Sequence, residues 1–174
     1  MEKYHTFRPR LIALLIDSFI MLPIGILDEW FRQAEFPPVF FYIWIPISSL
    51  ILPAYTILMH GFYGQTLGKM YMEVKVLDVT EEPIKFVQAV RRDLPQLIFN
   101  MFAIALGIAF LGQNPEAESV KYAYGTFALF ATVWGLADIL VFFFNDKRRA
   151  LHDYIAGTVV VKIKQQNQSA FMEI

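Results

Sequence analysis

Four long apolar runs dominate this sequence, and they constrain its fold more than any other feature. A hydrocarbon core about 30 Å thick is crossed by about 20 helical residues. Apolar residues make up 56% of the chain, above the roughly 45–50% of soluble domains. The runs cover residues 11–27, 39–59, 94–111 and 122–144. We therefore predict an all-α integral membrane protein, a bundle of four transmembrane helices within a single domain of residues 1–164, followed by a flexible polar tail at 165–174.

The distribution of positive charge predicts the orientation of the bundle. Thirteen of the 15 Lys and Arg residues fall before the first run, in segment 60–93, or after residue 144. Only Arg32 and Lys121 lie in the other two loops. Because an excess of Lys and Arg in short loops marks the cytoplasm, we expect a protein of the cell membrane with both termini cytoplasmic. The net charge of −1 gives no reason to expect a nucleic-acid partner.

The cytoplasmic segments are predicted to form a small cap. Residues 72–78 alternate apolar and charged side chains, and residues 158–164 are rich in β-branched ones, a pattern that favours two short strands able to pair. Residues 83–93 place apolar side chains on one helical face beside basic residues, which predicts a helix in the membrane interface. Pro95 is expected in the first turn of the third span.

Two aspartates lie inside predicted spans, where a charged side chain costs about 2.5–3.5 kcal/mol. Asp17 and Asp138 each lie six residues from the cytoplasmic end of their span, and so does Asn100. At about 1.5 Å per residue, all three are expected roughly 9 Å deep. The three helices therefore bring polar groups to one layer.

The second span adds further oxygen atoms to this layer. Pro53 leaves the carbonyl of Ser49 without its helical partner, and Tyr55 follows two residues later. Neighbouring buried carboxylates raise one another's pKa, which suits the exchange of a proton for a cation. The sequence thus predicts an ion or proton site, without a cofactor or a resident metal, at Asp17, Asp138, Asn100, Tyr55 and Ser49.

Arg10 admits two interpretations of this layer. It precedes Asp17 by seven residues, two turns along the same helical face. Arg10 can tune the pKa of Asp17 and close the cytoplasmic entrance to an ion site. Alternatively, it neutralises Asp17 and the polar layer only holds helices together, a role worth about 0.6 kcal/mol per bond on average.

Other charged residues carry weaker signals. Lys69, Arg148 and Arg149 flank predicted spans on the cytoplasmic side, where basic residues contact anionic lipid headgroups. His152 and Asp153 are adjacent, but no serine nucleophile is evident beside them. We therefore expect membrane lipids as partners and no enzymatic activity.

Several motifs occur together in one order along the chain. They are Arg10 with Ala13 and Asp17, GQTLGK at 64–69, Arg91–Arg92, Asp138, KRRALHD at 147–153 and AGTVVV at 156–161. This combination, over about residues 8–162, resembles the RDD family of bacterial and archaeal membrane proteins, named for an arginine and two aspartates. The resemblance assigns Arg10 and Asp17 to the first two name residues and Asp138 to the third, with Asp153 as the competing candidate. This chain departs from the pattern at Glu73, where a small residue is expected, and at Asp93, where a neutral one is usual.

The resemblance implies membrane transport, with cation/proton antiport among the activities proposed for the family. We therefore expect a secondary transporter of a small solute that exchanges a monovalent cation for protons. Four short helices form a thin wall around any path, so a homo-oligomer is expected. The alternative is a scaffold or accessory subunit that does not transport and that binds a partner through its cytoplasmic cap.

Overall fold

The computed structural model describes residues 2–34 and 36–163, and the predicted tail at 165–174 lies outside them. The chain begins with a short 3-10 helix at Glu2–Tyr4. The elements that follow are α1 (Phe7–Gln33), α2 (Pro38–Tyr63), α3 (Leu67–Tyr71), β1 (Val74–Asp78), α4 (Phe86–Ala109), α5 (Glu118–Phe143), α6 (Leu151–Ala156) and β2 (Thr158–Lys162).

Three of the four predicted spans are confirmed as helices that can cross a membrane. By length and composition, α1, α2 and α5 meet this requirement in the described part of the chain. The most apolar stretches of these helices are only 6–11% buried inside the protein, so most of their apolar side chains face outward. Such a surface is stable against lipid rather than water.

The prediction for the third span was wrong in its boundaries. Residues 83–93 and 94–111 do not form two helices, because α4 runs continuously from Phe86 to Ala109. Its start is capped where the backbone N–H of Lys85 donates to Gln88 Oε1 at 2.8 Å, so the amphipathic turns belong to the long helix. Pro95 consequently lies inside α4 and not in its first turn. The polar side chains of those turns lower the hydropathy of α4, and a fourth span is not confirmed.

Both predicted strands are confirmed, although each is shorter than expected. β1 and β2 pair antiparallel with Val76 opposite Val160. The two valines are fully buried and form part of a small core with Val74, Ile84 and Ala89. This core contains no residue of the three membrane-crossing helices. The strands and the start of α4 are therefore held together by apolar packing of their own.

The pairing of the strands brings distant parts of the chain to one side. β2 lies against the segment that follows α2, and the 3-10 helix also contacts β2. Lys3 Nζ forms an ion pair with Glu81 at 2.7 Å. We call these joined segments, residues 2–6, 64–85 and 145–163, the cap. That the cap faces the cytoplasm stays a prediction.

Candidate functional site

Asp17 lies on α1 and is 7% exposed. Its carboxylate accepts hydrogen bonds from Tyr55 Oη at 2.8 Å, Thr66 Oγ1 at 2.6 Å and the backbone N–H of Gly68 at 2.9 Å. The pairing of Asp17 with Tyr55 brings together two of the predicted site residues. The other two donors lie at the start of α3, so Asp17 also holds the N-terminal end of that short helix against α1.

The close approach of α3 to α1 depends on a glycine. A Cβ built at Gly68 would collide with the carbonyl oxygen of Ala13 and would lie 3.0 Å from Asp17 Cγ. Only a residue without a side chain allows the two backbones to approach this closely. The glycine of the GQTLGK motif therefore permits the bond between Gly68 N–H and Asp17.

Arg10 does not pair with Asp17, although both interpretations of the sequence expected the two to interact. Its Nη1 lies 2.6 Å from Asp153 Oδ2, and its Nε donates to Thr6 Oγ1 at 3.0 Å. The three donors from α2 and α3 occupy Asp17, whereas Asp153 approaches Arg10 from the cap. Tertiary structure thus supplies each charge with a nearer partner than the one in its own helix.

Asp153 is the centre of a buried ion network. Its side chain is fully buried between Arg10 and Arg92, and both guanidinium groups bond it. It also accepts from the backbone N–H of Ala150 at 3.0 Å, which caps the start of α6. Burial alone would raise the pKa of Asp153, but the charges of Arg92 and Arg10 hold it well below its usual range.

Asp138 joins the same network through a histidine. Its Oδ1 lies 2.8 Å from His152 Nδ1 and accepts from the backbone N–H of His152 at 3.0 Å. His152 Nε2 in turn lies 2.9 Å from Arg92 Nη2. Asp17 and Asp138 therefore belong to different sets of partners, and among the described residues no hydrogen bond or ion pair joins the two aspartates.

Asn100 and Ser49 meet, as their common depth suggested. Asn100 Nδ2 donates to the backbone carbonyl of Ser49 at 3.0 Å. This is the carbonyl that Pro53 deprives of its helical partner, and the bond links α4 to α2. The Asn100 amide therefore satisfies the free Ser49 carbonyl at the helix contact, and within the described residues neither group bonds an aspartate.

A second polar pocket lies between α2, α3 and α4, and the sequence did not predict it. Thr56 Oγ1 donates to Asp93 Oδ1 at 2.9 Å, and Lys69 Nζ lies 2.6 Å from His60 Nε2. His60, which is 3% exposed, has its Nδ1 3.6 Å from Asp93 Oδ2. That separation exceeds a hydrogen bond, and both atoms are buried with no other partner among the described residues.

Signals for this pocket were present in the sequence. His60 is one of only three histidines, and Asp93 is the acidic departure from the family pattern noted above. Thr56, His60 and Asp93 lie near the ends of predicted helices, and their rotation about each axis depends on tertiary packing.

The three basic residues expected to contact lipid occupy different environments. Lys69 points at His60, and burial together with the charges of Arg92 and Arg10 holds its pKa well below the usual range. Arg149 donates to the carbonyl of Thr158 at 2.9 Å and its guanidinium lies over the Tyr154 ring. Lys69 is therefore engaged with α2, and Arg149 is engaged within the cap. Arg148 lines a surface cavity.

Within residues 2–34 and 36–163, no group of three or more His, Asp and Glu side chains is arranged to hold a metal ion. The pocket around His60 instead combines one carboxylate, one imidazole, one amine and one hydroxyl. Such a set can pass a proton between neighbouring groups, since an imidazole has one ring nitrogen that accepts and one that donates.

Comparison with known proteins identifies the family of the chain. No curated protein and no solved structure matches the sequence at a significant level. The model of the RDD family matches residues 4–157, a stretch that includes Arg10, Asp17, Asp138 and Asp153 together with the pocket around His60. The chain is therefore a member of the RDD family of membrane proteins.

Proposed function

We propose that the chain exchanges protons for a small monovalent cation across the membrane and that His60 relays the proton. The observation that carries this proposal is the position of the imidazole between an amine and a carboxylate. One ring nitrogen of His60 lies at Lys69 and the other faces Asp93 across 3.6 Å. A buried pair of unpartnered polar atoms is uncommon in proteins and marks a place where a proton or an ion can enter.

The two ring nitrogens give His60 the chemistry of a relay. In the arrangement favoured by its contacts, Lys69 donates to Nε2 and Nδ1 carries the hydrogen that faces Asp93. Transfer of a proton from Lys69 to Nε2 forms an imidazolium, which then releases the Nδ1 proton to Asp93. A cation that binds the Asp93 carboxylate and the Thr56 hydroxyl oxygen competes with that proton, and this competition couples the two movements.

The predicted aspartates support the relay indirectly in this proposal. Asp17 holds the start of α3 through Thr66 and Gly68, and Lys69 is the next residue. Asp17 thereby positions the amine that contacts His60. Direct binding of an ion by Asp17 or Asp138 stays a prediction, and their separate partners give the two no common site.

Reconstitution into liposomes tests the proposal. Internal pH would be followed with a dye while gradients of Na⁺, K⁺ or Li⁺ are applied to the native protein and to His60→Gln and Asp93→Asn variants. A cation gradient is expected to move protons in the native protein, and each variant is expected to lower the rate at least tenfold. Asp146→Asn is the matched control. It removes the same charge as Asp93→Asn, but Asp146 is exposed and lies outside the pocket.

A scaffold is the second candidate function, because the other buried carboxylates already have bonding partners within the protein. Asp17 has three donors, and Asp153 is fully buried between two arginines, as expected of groups that only join helices to the cap. If no cation gradient moves protons while His60→Gln and Asp93→Asn lower the melting temperature, exchange is excluded. The cap would then be the place to seek a bound protein.

A further inference from the structure

A cavity of about 470 Å³ opens where the cap meets α1 and α5. Its cationic wall comes from three different parts of the chain, namely the start of α1, the loop after α5 and the end of β2. The three side chains are Arg8, Arg148 and Lys162. No acidic residue lines the cavity within the described part of the chain, so the wall has a local excess of positive charge.

The cations of this wall keep donors available for a ligand. Arg8 and Lys162 are exposed, and neither forms an ion pair or a side-chain hydrogen bond with the described residues. Arg148 uses one nitrogen, Nη1, to donate to the carbonyl of Phe143 at 3.3 Å. A guanidinium has five N–H donors in a plane suited to phosphate oxygens, so most of the donors of Arg148 remain for an anion.

Aromatic rings form the apolar floor of the same cavity. Phe7 lies 5.7 Å from Phe142 and 5.2 Å from Phe143 between ring centroids. Phe142 is buried, whereas Phe7 and Phe143 are 40% and 48% exposed. The exposed rings continue onto the outward apolar faces of α1 and α5, where Leu11 and Leu140 are also exposed. An anion-binding wall thus adjoins a surface suited to hydrocarbon.

From this geometry we propose that the cavity binds one anionic phospholipid. Arg8, Arg148 and Lys162 hold the phosphate of its headgroup, and its acyl chains lie along Phe7, Phe143 and the outer faces of α1 and α5. A zwitterionic lipid has a compensating ammonium group and no net charge to match this wall. The site therefore selects lipids of net negative charge, and it adds a specific contact to the general attraction between basic segments and anionic membranes.

Lipid binding to the purified full-length protein in detergent tests this assignment. Native mass spectrometry would measure the affinity for phosphatidylglycerol, phosphatidylcholine and soluble glycerol 3-phosphate. The variant Arg8→Gln/Lys162→Gln removes two cations whose side chains form no hydrogen bond or ion pair with the described residues. One basic residue near an anionic surface strengthens binding about fivefold. Because the variant lacks two such residues, we expect phosphatidylglycerol to bind it about 25-fold more weakly.

A second double variant separates the site from general charge. Lys85→Gln/Arg91→Gln removes the same charge from exposed positions outside the cavity, and its affinity is expected to stay within twofold of the native value. Equal losses in both double variants, or equal binding of phosphatidylcholine by the native protein, would overturn the assignment. Saturation by glycerol 3-phosphate at the same concentration as phosphatidylglycerol would overturn it too, since the ligand would then be a soluble phosphate ester.

Discussion

At the scale of single residues, Gly68 controls how closely the GQTLGK segment approaches the first helix. A methyl group at this position would meet the carbonyl oxygen of Ala13 in the backbone of α1, and a backbone atom cannot rotate away as a side chain can. The approach also carries the bond from Gly68 N–H to Asp17. Gly68 is therefore needed for packing, independently of any role in transport.

We expect Gly68→Ala to destabilise the protein by about 1–3 kcal/mol, the usual cost of overpacking. The added methyl group would push α3 away from α1 and stretch the bond to Asp17. Thermal unfolding of the purified protein in detergent measures the effect. Gly135→Ala is the control, since nothing lies within 4 Å of a Cβ built there and alanine favours a helix interior. A melting temperature equally unaffected by both substitutions would show that the close contact is not required.

The charge state of Asp153 is a second property of single residues. Arg92 and Arg10 outweigh its burial and hold its pKa well below the ordinary value of 3.8. A carboxylate with a lowered pKa in the folded state contributes stability above its unfolded pKa and loses that contribution as the pH falls toward the folded one. The network is therefore expected to be complete at neutral pH.

We expect Asp153→Asn to cost about 3–5 kcal/mol at pH 7, because two arginines would stay buried without their carboxylate. The difference in melting temperature between native protein and variant should be constant from about pH 8 to pH 5 and should narrow below about pH 4. Unfolding curves across this range test the sign. A gap that widens on acidification would contradict the assignment of the charge.

At the scale of helices, Pro53 and Asn100 form a matched pair across the contact between α2 and α4. The proline removes the N–H that would satisfy the Ser49 carbonyl, and the Asn100 amide replaces it at 3.0 Å. α4 packs most extensively on α2. The free carbonyl that Pro53 creates in α2 thus helps to fix which residues of α2 and α4 face each other.

We expect the effects of substitutions at Pro53 and Asn100 to be coupled. Asn100→Ala alone is expected to cost about 0.6–1.7 kcal/mol, the range of hydrogen bonds between membrane helices. In a Pro53→Ala background the restored N–H can bond Ser49, so the same change should cost less. A double-mutant cycle by thermal unfolding measures the coupling, and purely additive effects would show that the carbonyl has no need of Asn100.

At the scale of the whole molecule, the β1–β2 pair ties the last described strand to the segment after the second helix. The N–H of Val76 donates to the Gly64 carbonyl at 2.8 Å, away from β2, so Val76 and Val160 form a pair without hydrogen bonds between them. Such pairs bring Cα atoms to about 4.5 Å in antiparallel sheets, a separation that a disulfide accommodates.

Cysteines at Val76 and Val160 are therefore expected to form a disulfide on oxidation. The chain has no native cysteine, so a shift on a non-reducing gel together with the intact mass reports only this bond. Cysteines at Val76 and Val159 should fail to cross-link, because neighbouring residues of a strand point to opposite faces. Efficient cross-linking of the second pair would mean that the register of the sheet is wrong.

The outward apolar faces of α1, α2 and α5 are also a property of the whole molecule. Large side chains such as Phe19 and Phe130 are 74% and 65% exposed, and lipid or a second copy of the chain can cover them. The homo-oligomer expected from the thin wall of helices stays a prediction, which the mass of the complex with its detergent would test directly.

The sequence by itself determined the membrane class, three of the four predicted spans, the two strands and the family. These properties depend on local composition and order along the chain, such as the apolar length of each helix and the β-branched residues of β2. It also placed Asn100 and the free carbonyl of Ser49 at one depth, because a proline predicts which carbonyl lacks a partner. It assigned them to an ion site, and not to the bond that joins them. Glu73 has a left-handed backbone with φ of 54°, a conformation that glycine adopts most easily.

Tertiary structure alone decided which charges meet. Helical spacing assigned Arg10 to Asp17. In the folded chain Arg10 instead bonds Asp153, which is 143 residues away in the sequence. The pocket of Thr56, His60, Lys69 and Asp93 likewise depends on the rotation of three helices about their axes, which depth in the membrane does not specify. Side-chain partners on different elements are set by the packing of the whole chain, so the sequence pattern of one element does not predict them.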